Sequence, residues 1–251
     1  MNPAFKPIRR LLLRTLVLWL PAVAMATGVT ITYANYKPYS FEVDGKAIGL
    51  EVDLLNEALG KRMGLTLTHR ILPWERAQQL VRAGEADAFV ATSTQERATY
   101  ADASREAVTF WEIALYFRKG DSRFTNLTTL AALAPFNIGS LNGNGWVKTN
   151  LPGMNIQYVN KMELLPKMLV LGRIDVIPDN PFVMHDLLAG SDSIEQIEES
   201  RISFAREGMH LQVGKTSALR ARLAEFDTVL RKMKEDGSWQ RIHRQYKEGK
   251  P

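Results

Sequence analysis

Residues 73–97 read PWERAQQLVRAGEADAFVATSTQER and predict a helix, a turn and a buried strand in succession. The apolar face of the helix stops before Gly84, and the run at 88–91 is continuously apolar. Hydroxyl side chains and then Arg97 follow that strand. Ligands of open α/β sheets bind beyond the carboxyl ends of the strands, so this segment predicts a fold and one side of a site.

The same order of residues recurs later in the chain. Residues 171–178, LGRIDVIP, repeat the order of residues 83–90, AGEADAFV: a helix end, a glycine, two residues, an aspartate and an apolar strand. The first strand is followed by Thr-Ser-Thr at 92–94 and the second by Asp179 and Asn180. Two lobes of alternating strands and helices that face each other would bring both strand ends to one cleft.

The first 26 residues differ in composition from the rest of the chain. Basic residues come first, an apolar run occupies 16–23, and Ala-Met-Ala stands at 24–26. This order is typical of a secretory signal peptide that is cleaved before Thr27, and the alternative is an uncleaved anchor. We therefore expect a signal peptide over 1–26 and a protein exported to the periplasm.

The charge and the cysteine count exclude several classes of partner and site. The chain of 251 residues has 32 Lys and Arg against 27 Asp and Glu, but four of the basic residues lie in the signal peptide. The nearly neutral remainder lacks the basic excess that nucleic-acid binding requires. Without cysteine there is no disulfide, no thiolate metal site and no lipid anchor. The four histidines lack ligand-like spacing, so we expect no metal site. We also expect no cofactor and a monomer.

Two groups in the opening segment have side chains suited to an anion. A guanidinium at a cleft edge, as predicted for Arg97, can hold a carboxylate through paired hydrogen bonds, and the alternative is a surface arginine. Thr92, Ser93 and Thr94 offer hydroxyls and backbone N–H groups, although the same residues are common in plain loops.

Other candidates stand at the ends of predicted strands. Tyr36 and Trp74 can each present a ring face to a ligand, and the alternative for both is a place in the core. Asp179 can receive an ammonium group or cap a helix. The turn at 142–146, NGNGW, offers N–H groups at a helix start, which favour anions, or it is an ordinary tight turn.

Three segments, taken in order, resemble the signature segments of the family 3 extracellular solute-binding proteins, which serve ABC importers of polar amino acids. They are GLEVDLLNEALGKRMG at 49–64, the opening segment at 73–97 and LGRIDVIPDNPFV at 171–183. The first nearly matches the family pattern of Gly, apolar, acidic, apolar, acidic. The resemblance extends over 29–246, and the three motifs are specific only in combination.

The resemblance implies an α/β fold of the two-lobed periplasmic binding protein type (type II). Each lobe would be a mostly parallel sheet flanked by helices, and two crossover strands near 114–118 and 209–213 would join the lobes. Lobe 1 would comprise 27–116 and 210–251, and lobe 2 would comprise 117–209. Such a protein closes on its ligand like a hinge.

The resemblance also assigns roles to four residues of the first lobe. The carboxylate-binding arginine of the family falls on Arg97, and its hydroxyl and N–H partners fall near Thr92. The two aromatic rings that enclose the ligand fall on Tyr36 and Trp74. These residues would form the anionic end of the site and its aromatic cover.

In the second lobe the family's ammonium-binding aspartate falls on Asp179, or on Asn180 if no one-residue gap is allowed. The turn at 143–145 reads Gly-Asn-Gly where the family usually has Gly-Thr, so Asn144 takes the ligand-binding position and a hydroxyl is missing. Tyr33 stands where relatives that bind basic amino acids tend to carry an acid. A cationic ligand side chain is therefore not favoured.

The function that this implies is capture of a small zwitterion, an amino acid or a derivative, for the membrane permease of an ABC importer, without catalysis. One alternative is an enzyme similar to periplasmic cyclohexadienyl dehydratases, which resemble this family and need a general acid in the cleft, for which Glu75 and Glu112 are candidates. Another is a ligand-sensing module that reports to a membrane receptor.

Overall fold

The computed structural model describes residue 1, residues 28–189, residue 191 and residues 193–247. Apart from Met1, the predicted signal peptide lies outside these described residues, and so does the predicted cleavage site. Within the described ranges no helix has both the length and the apolar character needed to cross a membrane.

The first lobe alternates strands and helices before a long strand leaves it. Its elements are β1 (Val29–Tyr33), β2 (Phe41–Val43), β3 (Lys46–Ile48), α1 (Leu50–Leu55), a π-helical continuation (Asn56–Arg62), β4 (Leu67–Ile71), α2 (Trp74–Ala83), β5 (Ala88–Ala91), α3 (Gln95–Ala98) and β6 (Ala101–Arg118). The turn of the β2–β3 hairpin has positive φ at Asp44 and Gly45, 49° and 73°, as tight two-residue hairpins require.

The second lobe repeats the alternation, and the chain then returns to the first lobe. The second lobe has α4 (Ser122–Thr125), a 3₁₀ turn (Leu130–Leu133), β7 (Ile138–Leu141), α5 (Gly145–Asn150), β8 (Ile156–Val159), α6 (Leu164–Val170), β9 (Val176–Asp179), α7 (Pro181–Leu188), a 3₁₀ turn (Ile194–Gln196) and β10 (Ile197–Glu199). The return comprises β11 (Ala205–Gly214), a 3₁₀ turn (Ala218–Arg222), α8 (Leu223–Glu235) and α9 (Ser238–Lys247).

Eight of the described strands form one path with the order β4-β1-β5-β11-β6-β9-β7-β8, and β10 pairs with β6 off that path. The strands β2 and β3 form a separate two-stranded sheet. β1 is parallel to β4 and β5, and β7 is parallel to β8 and β9. The antiparallel strands β6 and β11 connect the two parallel groups. This is the predicted two-lobed α/β architecture.

The long strand β6 changes its partner near the predicted crossover. It pairs with β11 as far as Ile113 and with β9 from Ala114 onward. The other crossover, in β11, carries a register shift between Met209 and His210. The lobe boundaries predicted after residues 116 and 209 fall inside these two strands, and they stay a prediction.

The repeated segment has the same hydrogen bonding in both lobes. Asp87, just before β5, accepts the backbone N–H of Thr30 at 2.8 Å, at the neighbouring strand β1. Asp175, just before β9, accepts the N–H of Asn137 at 3.0 Å, beside the neighbouring strand β7. Each aspartate therefore fixes the start of its own strand against the adjacent parallel strand.

The two strands that lead into the cleft are β5 and β9, and every residue of both is buried. Continuous burial is expected of parallel strands that helices cover on both faces. The polar residues that follow these strands are consequently held on a rigid support.

Candidate functional site

A cleft lies between the lobes at the carboxyl ends of β5 and β9. It holds about 680 Å³ of empty space, counting the part that is open to solvent. All six residues predicted for the site line it, and these are Tyr36, Trp74, Thr92, Arg97, Asn144 and Asp179. Their contacts with a ligand stay a prediction.

Arg97 is buried in the wall of this cleft, with 4% of its surface exposed. Thr94 caps α3 by accepting the Arg97 N–H at 3.1 Å, which starts the short helix and directs the arginine inward. Nη1 donates to the carbonyl of Thr92 at 2.8 Å and to its Oγ1 at 3.1 Å, and Nε donates to Oε1 of Gln78 at 3.1 Å. Arg97 therefore lines the cleft but is buried in its wall, and the alternative of a surface arginine is wrong.

The charge of Arg97 has no counter-ion in the described part of the chain, since no carboxylate oxygen lies within the 4.0 Å of an ion pair. Its hydrogen-bond partners are uncharged oxygens, and Nη2 has only a long contact, 3.4 Å, with the carbonyl of Gly143. Burial lowers the pKa of Arg97, but a guanidinium stays protonated in proteins. A buried charge without a partner is costly, so this site favours an anion.

Trp74 is half-buried beside that guanidinium. Its ring centroid lies 5.6 Å from Cζ of Arg97, and its edge packs on Phe89 with the ring centroids 5.5 Å apart. Its Nε1 donates to the carbonyl of Gly143 at 3.0 Å. Trp74 therefore lines the cleft and also supports the arginine.

The glycines of the turn at 142–145 have a steric role. Gly143 has a φ of 78°, and a Cβ there would lie 2.6 Å from Oε2 of Glu75. A Cβ on Gly145 would lie 2.8 Å from Nη1 of Arg97. Asn144 caps α5 by accepting the N–H of Val147 at 3.2 Å. The glycines let the second lobe approach the arginine of the first.

Asp179 forms the opposite pole of the cleft and is 1% exposed. Its Oδ1 accepts a hydrogen bond from the hydroxyl of Tyr36 and, at 2.7 Å, from the N–H of Asn180, whereas Oδ2 has no hydrogen-bond partner among the described residues. Burial raises the pKa of Asp179 to about 6, and those two hydrogen bonds oppose the rise. The free oxygen is the one available to a ligand.

Asn180, the alternative to Asp179, is used elsewhere. Its side chain caps α7 by accepting the N–H of Phe182 at 2.9 Å, and its Nδ2 donates to the carbonyl of Glu112 at 3.2 Å. Asp179 lines the cleft and Asn180 does not.

Of the three hydroxyl residues after β5, only Thr92 reaches the cleft. Ser93 is exposed and accepts a hydrogen bond from Nε2 of Gln212 at 3.3 Å. Thr94 is the helix cap already described. The sequence alone does not show which of the three hydroxyl side chains lines the cleft, because the turn into α3 decides which one points inward.

The two acids considered for an enzymatic alternative do not line the cleft. Glu75 lies against the turn of the second lobe, close to Gly143. Glu112 is exposed and lies 3.7 Å from Nε of Arg206. Neither has the position of a general acid for a ligand held between Arg97 and Asp179.

Sequence reasoning missed several residues of the cleft. Most are apolar or aromatic, and they are Tyr39, Val90, Trp111, Leu141 and Met209. Tyr33, which was considered only for its effect on a cationic side chain, also lines the cleft. Glu51, the first acid of the motif at 49–53, was not predicted as a site residue, yet it is buried and lines the cleft. The only signal was its place in the motif at 49–53, because nothing local distinguishes it from the neighbouring Asp53.

The two lobes are closed on each other. The carbonyl of Gly143 accepts from Trp74, Gln78 and Arg97, all of the first lobe, at 3.0, 3.4 and 3.4 Å. Farther out, Nζ of Lys37 lies 3.1 Å from Oδ1 of Asp186. These contacts and the Tyr36–Asp179 hydrogen bond define a closed cleft with its polar groups turned inward.

Comparison with known proteins places this architecture in a family. The profile of the bacterial extracellular solute-binding proteins, family 3, matches residues 29–249. The chain belongs to this family. The resemblance noted in the sequence is thereby confirmed. A search of curated proteins found no match for this solute-binding protein.

Solved structures share the fold of this solute-binding protein at low identity. An ancestral arginine-binding protein bound to arginine is 20% identical with a TM-score of 0.72, covering 87% of this chain and 97% of its own. A histidine kinase sensor domain similar to periplasmic binding proteins is 17% identical with a TM-score of 0.74, covering 88% and 96%. An ancestral amino-acid-binding protein, described as a precursor of cyclohexadienyl dehydratase, is 20% identical with a TM-score of 0.69, covering 87% and 95%. The predicted two-lobed fold is confirmed.

Proposed function

We propose that this solute-binding protein captures a small zwitterion, an amino acid or a close derivative, in the periplasm and delivers it to the permease of an ABC importer. The proposal rests on one observation: two oppositely charged side chains face the same cleft. Among the residues that the structure describes, the buried Arg97 has no counter-ion, and Asp179 faces the same cleft with one carboxylate oxygen unused. A ligand with one carboxylate and one ammonium group satisfies both.

Each end of the ligand has a defined place in this proposal. The carboxylate accepts from Nη2 of Arg97, whose one hydrogen bond within the described residues is the long one to the carbonyl of Gly143. The ammonium group donates to Oδ2 of Asp179, while Tyr36 and Asn180 hold Oδ1. Trp74 and Tyr36 cover the ligand between the poles. Removing water from both charge pairs strengthens them, so closure and binding support each other.

The absence of catalysis is part of the proposal. Family membership supports it, and so does the position of Glu75 and Glu112 outside the cleft. Incubating the protein with arogenate and with prephenate tests the point directly. We expect no product above the uncatalysed rate, and turnover of either compound contradicts the proposal.

The binding proposal is tested in two steps. A thermal-shift screen of residues 27–251 against an amino-acid panel identifies ligands, because a ligand that binds only the folded state raises the melting temperature. Titration calorimetry with the best panel member then compares wild type with Arg97→Ala, Arg97→Lys and Arg105→Ala. Arg105 is exposed, and its side chain makes no ion pair in the described part of the chain, so it is the matched control.

We expect Arg97→Ala to lose about 30-fold or more in affinity, because one partner of a desolvated charge pair is removed. Arg97→Lys should recover only part of that loss, since an ammonium group cannot form the planar fork. Arg105→Ala should bind as wild type does. Binding by Arg97→Ala within about threefold of wild type contradicts the carboxylate clamp.

The transport role has its own experiment. Deleting the gene should abolish high-affinity uptake of the ligand found in the screen, and expressing the protein from a plasmid should restore it. The sensing alternative predicts normal uptake together with loss of the cellular response to that ligand.

A further inference from the structure

Glu51 is a buried acid in the cleft that neither pole of the proposed site uses. It stands in the first turn of α1 and is 5% exposed. Its backbone N–H donates to the carbonyl of Tyr39 at 2.9 Å, so its main chain is fixed. The close approach of the chain at Gly49, where a Cβ would lie 2.4 Å from the Tyr39 oxygen, makes this geometry possible. The position of the acid is therefore set by the fold.

The carboxyl group of Glu51 is only half satisfied. Oε1 accepts a hydrogen bond from Oγ1 of Thr109 at 3.2 Å. Oε2 has no hydrogen-bond partner among the described residues. It is not fully enclosed by protein atoms. Since Glu51 lines the cleft, this oxygen is left for a molecule bound there. A carboxyl oxygen that faces a cleft takes its hydrogen-bond partner from whatever fills that cleft, so a bound ligand can supply it.

The surroundings of Glu51 decide which form of the acid is present. Burial raises the pKa of Glu51 to about 8, and only the hydrogen bond from Thr109 opposes the rise. The titratable groups that face it are Tyr33 of β1 and Tyr39 of the loop before β2, and burial raises the pKa of each above its usual value. The hydroxyl of Tyr246, from α9, donates its hydrogen bond to Asp53 and not to Glu51. The acid is consequently neutral at neutral pH and can donate a hydrogen bond.

We propose that Glu51 is a specificity-determining residue that hydrogen-bonds an uncharged oxygen, such as a hydroxyl or an amide carbonyl, on the part of the ligand not held by Arg97 and Asp179. This inference rests on the proposed function of the cleft. It narrows the ligand to a zwitterion whose side chain carries a neutral oxygen. The aromatic and apolar lining covers the rest of that side chain.

A cationic side chain is disfavoured by the same surroundings. To pair with a cation, Glu51 must lose its proton inside a wall of tyrosines and apolar groups, where the charged form is poorly solvated. A site built around a neutral acid rejects an apolar side chain for a different reason, because Oε2 would stay unpaired. Glu51 therefore disfavours both cationic and apolar ligand side chains.

The test uses titration calorimetry with L-glutamine and L-threonine as oxygen-bearing probes, L-leucine as the apolar probe and L-arginine as the cationic probe. Wild type is compared with Glu51→Gln, which keeps a donor but cannot ionise, and with Glu51→Leu, which has no polar group. Glu42→Leu is the matched control, because Glu42 is exposed on β2 and makes no ion pair in the described ranges. Melting temperatures establish that every variant is folded.

We expect wild type to bind at least one oxygen-bearing probe more tightly than the apolar and cationic probes. For that probe, Glu51→Leu should lose about tenfold or more, whereas Glu51→Gln should stay within about threefold. Raising the pH from about 7 to about 9 should weaken binding by wild type more than binding by Glu51→Gln, because the ligand ammonium group titrates in both cases and only wild type also loses the donated proton.

The outcomes separate the two proposals. Loss of binding in Arg97→Ala with wild-type affinity in Glu51→Leu overturns this inference and leaves the proposed function intact. Preferred binding of L-arginine that strengthens with pH also overturns it, since Glu51 would then act as a charged acceptor. Failure of every probe to bind wild type counts against the proposed function and, with it, against this inference.

Discussion

The hydroxyl of Tyr36, in the first lobe, donates a hydrogen bond to Oδ1 of Asp179, in the second. This contact joins the lobes and also orients the carboxylate, because Oδ1 is occupied and Oδ2 has no hydrogen-bond partner within the described ranges. Tyr36 was expected from the sequence only as a ring that covers a ligand. Its hydroxyl gives it a second role, in closure.

Tyr36→Phe tests that role. The variant keeps the ring but loses the hydrogen bond, so we expect affinity to fall by about tenfold, the effect of a hydrogen bond to a charged group. Small-angle scattering of the ligand-free variant should give a larger radius of gyration than wild type, because one contact across the cleft is gone. Tyr158→Phe is the control, since Tyr158 lies exposed on β8. An unchanged radius and affinity contradict the role in closure.

Arg97→Met tests whether the arginine is kept for function at a cost in stability. The substitution removes a buried charge that has no counter-ion, which favours the variant, but it leaves the Thr92 carbonyl without its donor. Gln78 is only half-buried and can turn to water. These effects nearly cancel, so we expect the free energy of unfolding to stay within about 1 kcal/mol of wild type while binding is lost.

Urea denaturation measures that free energy, and titration calorimetry measures the binding. A loss of more than about 3 kcal/mol in Arg97→Met, with Arg105→Ala unchanged, would mean that the arginine is chiefly structural.

The pH dependence of binding should report Asp179. An ammonium group binds the ionised carboxylate, and burial raises the pKa of Asp179 to about 6, so affinity should fall as the pH drops through that value. The sign for folding is opposite, because the raised pKa means that the folded state binds the proton more tightly than the unfolded state. Charged Asp179 therefore lowers stability above about pH 6, and that cost shrinks as the pH falls and is gone only below the ordinary aspartate pKa of 3.8.

Titrations from about pH 5 to about pH 7 measure the effect on binding, below the range in which Glu51 loses its proton. Asp179→Asn should bind weakly, without this pH dependence. A wild-type affinity that is flat over this interval contradicts the ammonium role of Asp179.

Gly145→Ala should separate stability from binding. Its Cβ would lie 2.8 Å from Nη1 of Arg97, so it displaces the guanidinium or holds the lobes apart. Alanine also suits the start of α5 better than glycine, so stability should not fall. We expect affinity to drop by about tenfold or more at an unchanged or higher melting temperature. Gly60→Ala is the control, because the nearest atom to its Cβ is at an ordinary distance of 3.6 Å. Wild-type affinity in Gly145→Ala contradicts the close approach of the lobes.

Much of the fold was predictable because local sequence patterns determine it. The repeat of 83–90 at 171–178 marks two strands, and both end at the cleft. Strand ends are fixed by periodicity and by glycine, so residues directly after them, such as Thr92 and Asp179, were predictable too.

The rest of the site depends on contacts between distant segments. Glu51 and Trp111 are brought to the cleft by the packing of α1 and β6, and no local pattern encodes that packing. The burial of Arg97 follows from α3 and from the approach of the turn at 143–145. The exposed fraction and the pKa of a cleft residue depend on contacts made by both lobes in the closed state. They therefore cannot be predicted from one segment of the sequence at a time.

The position of β11 has a consequence for the order in which the chain can fold. β11 lies between β5 and β6 in the sheet, although it is the last strand in the sequence. A nascent chain that ends before residue 205 therefore has a gap in the middle of its first sheet, whatever else has been synthesised. We therefore expect the sheet of the first lobe to be completed only after nearly the whole polypeptide has been synthesised.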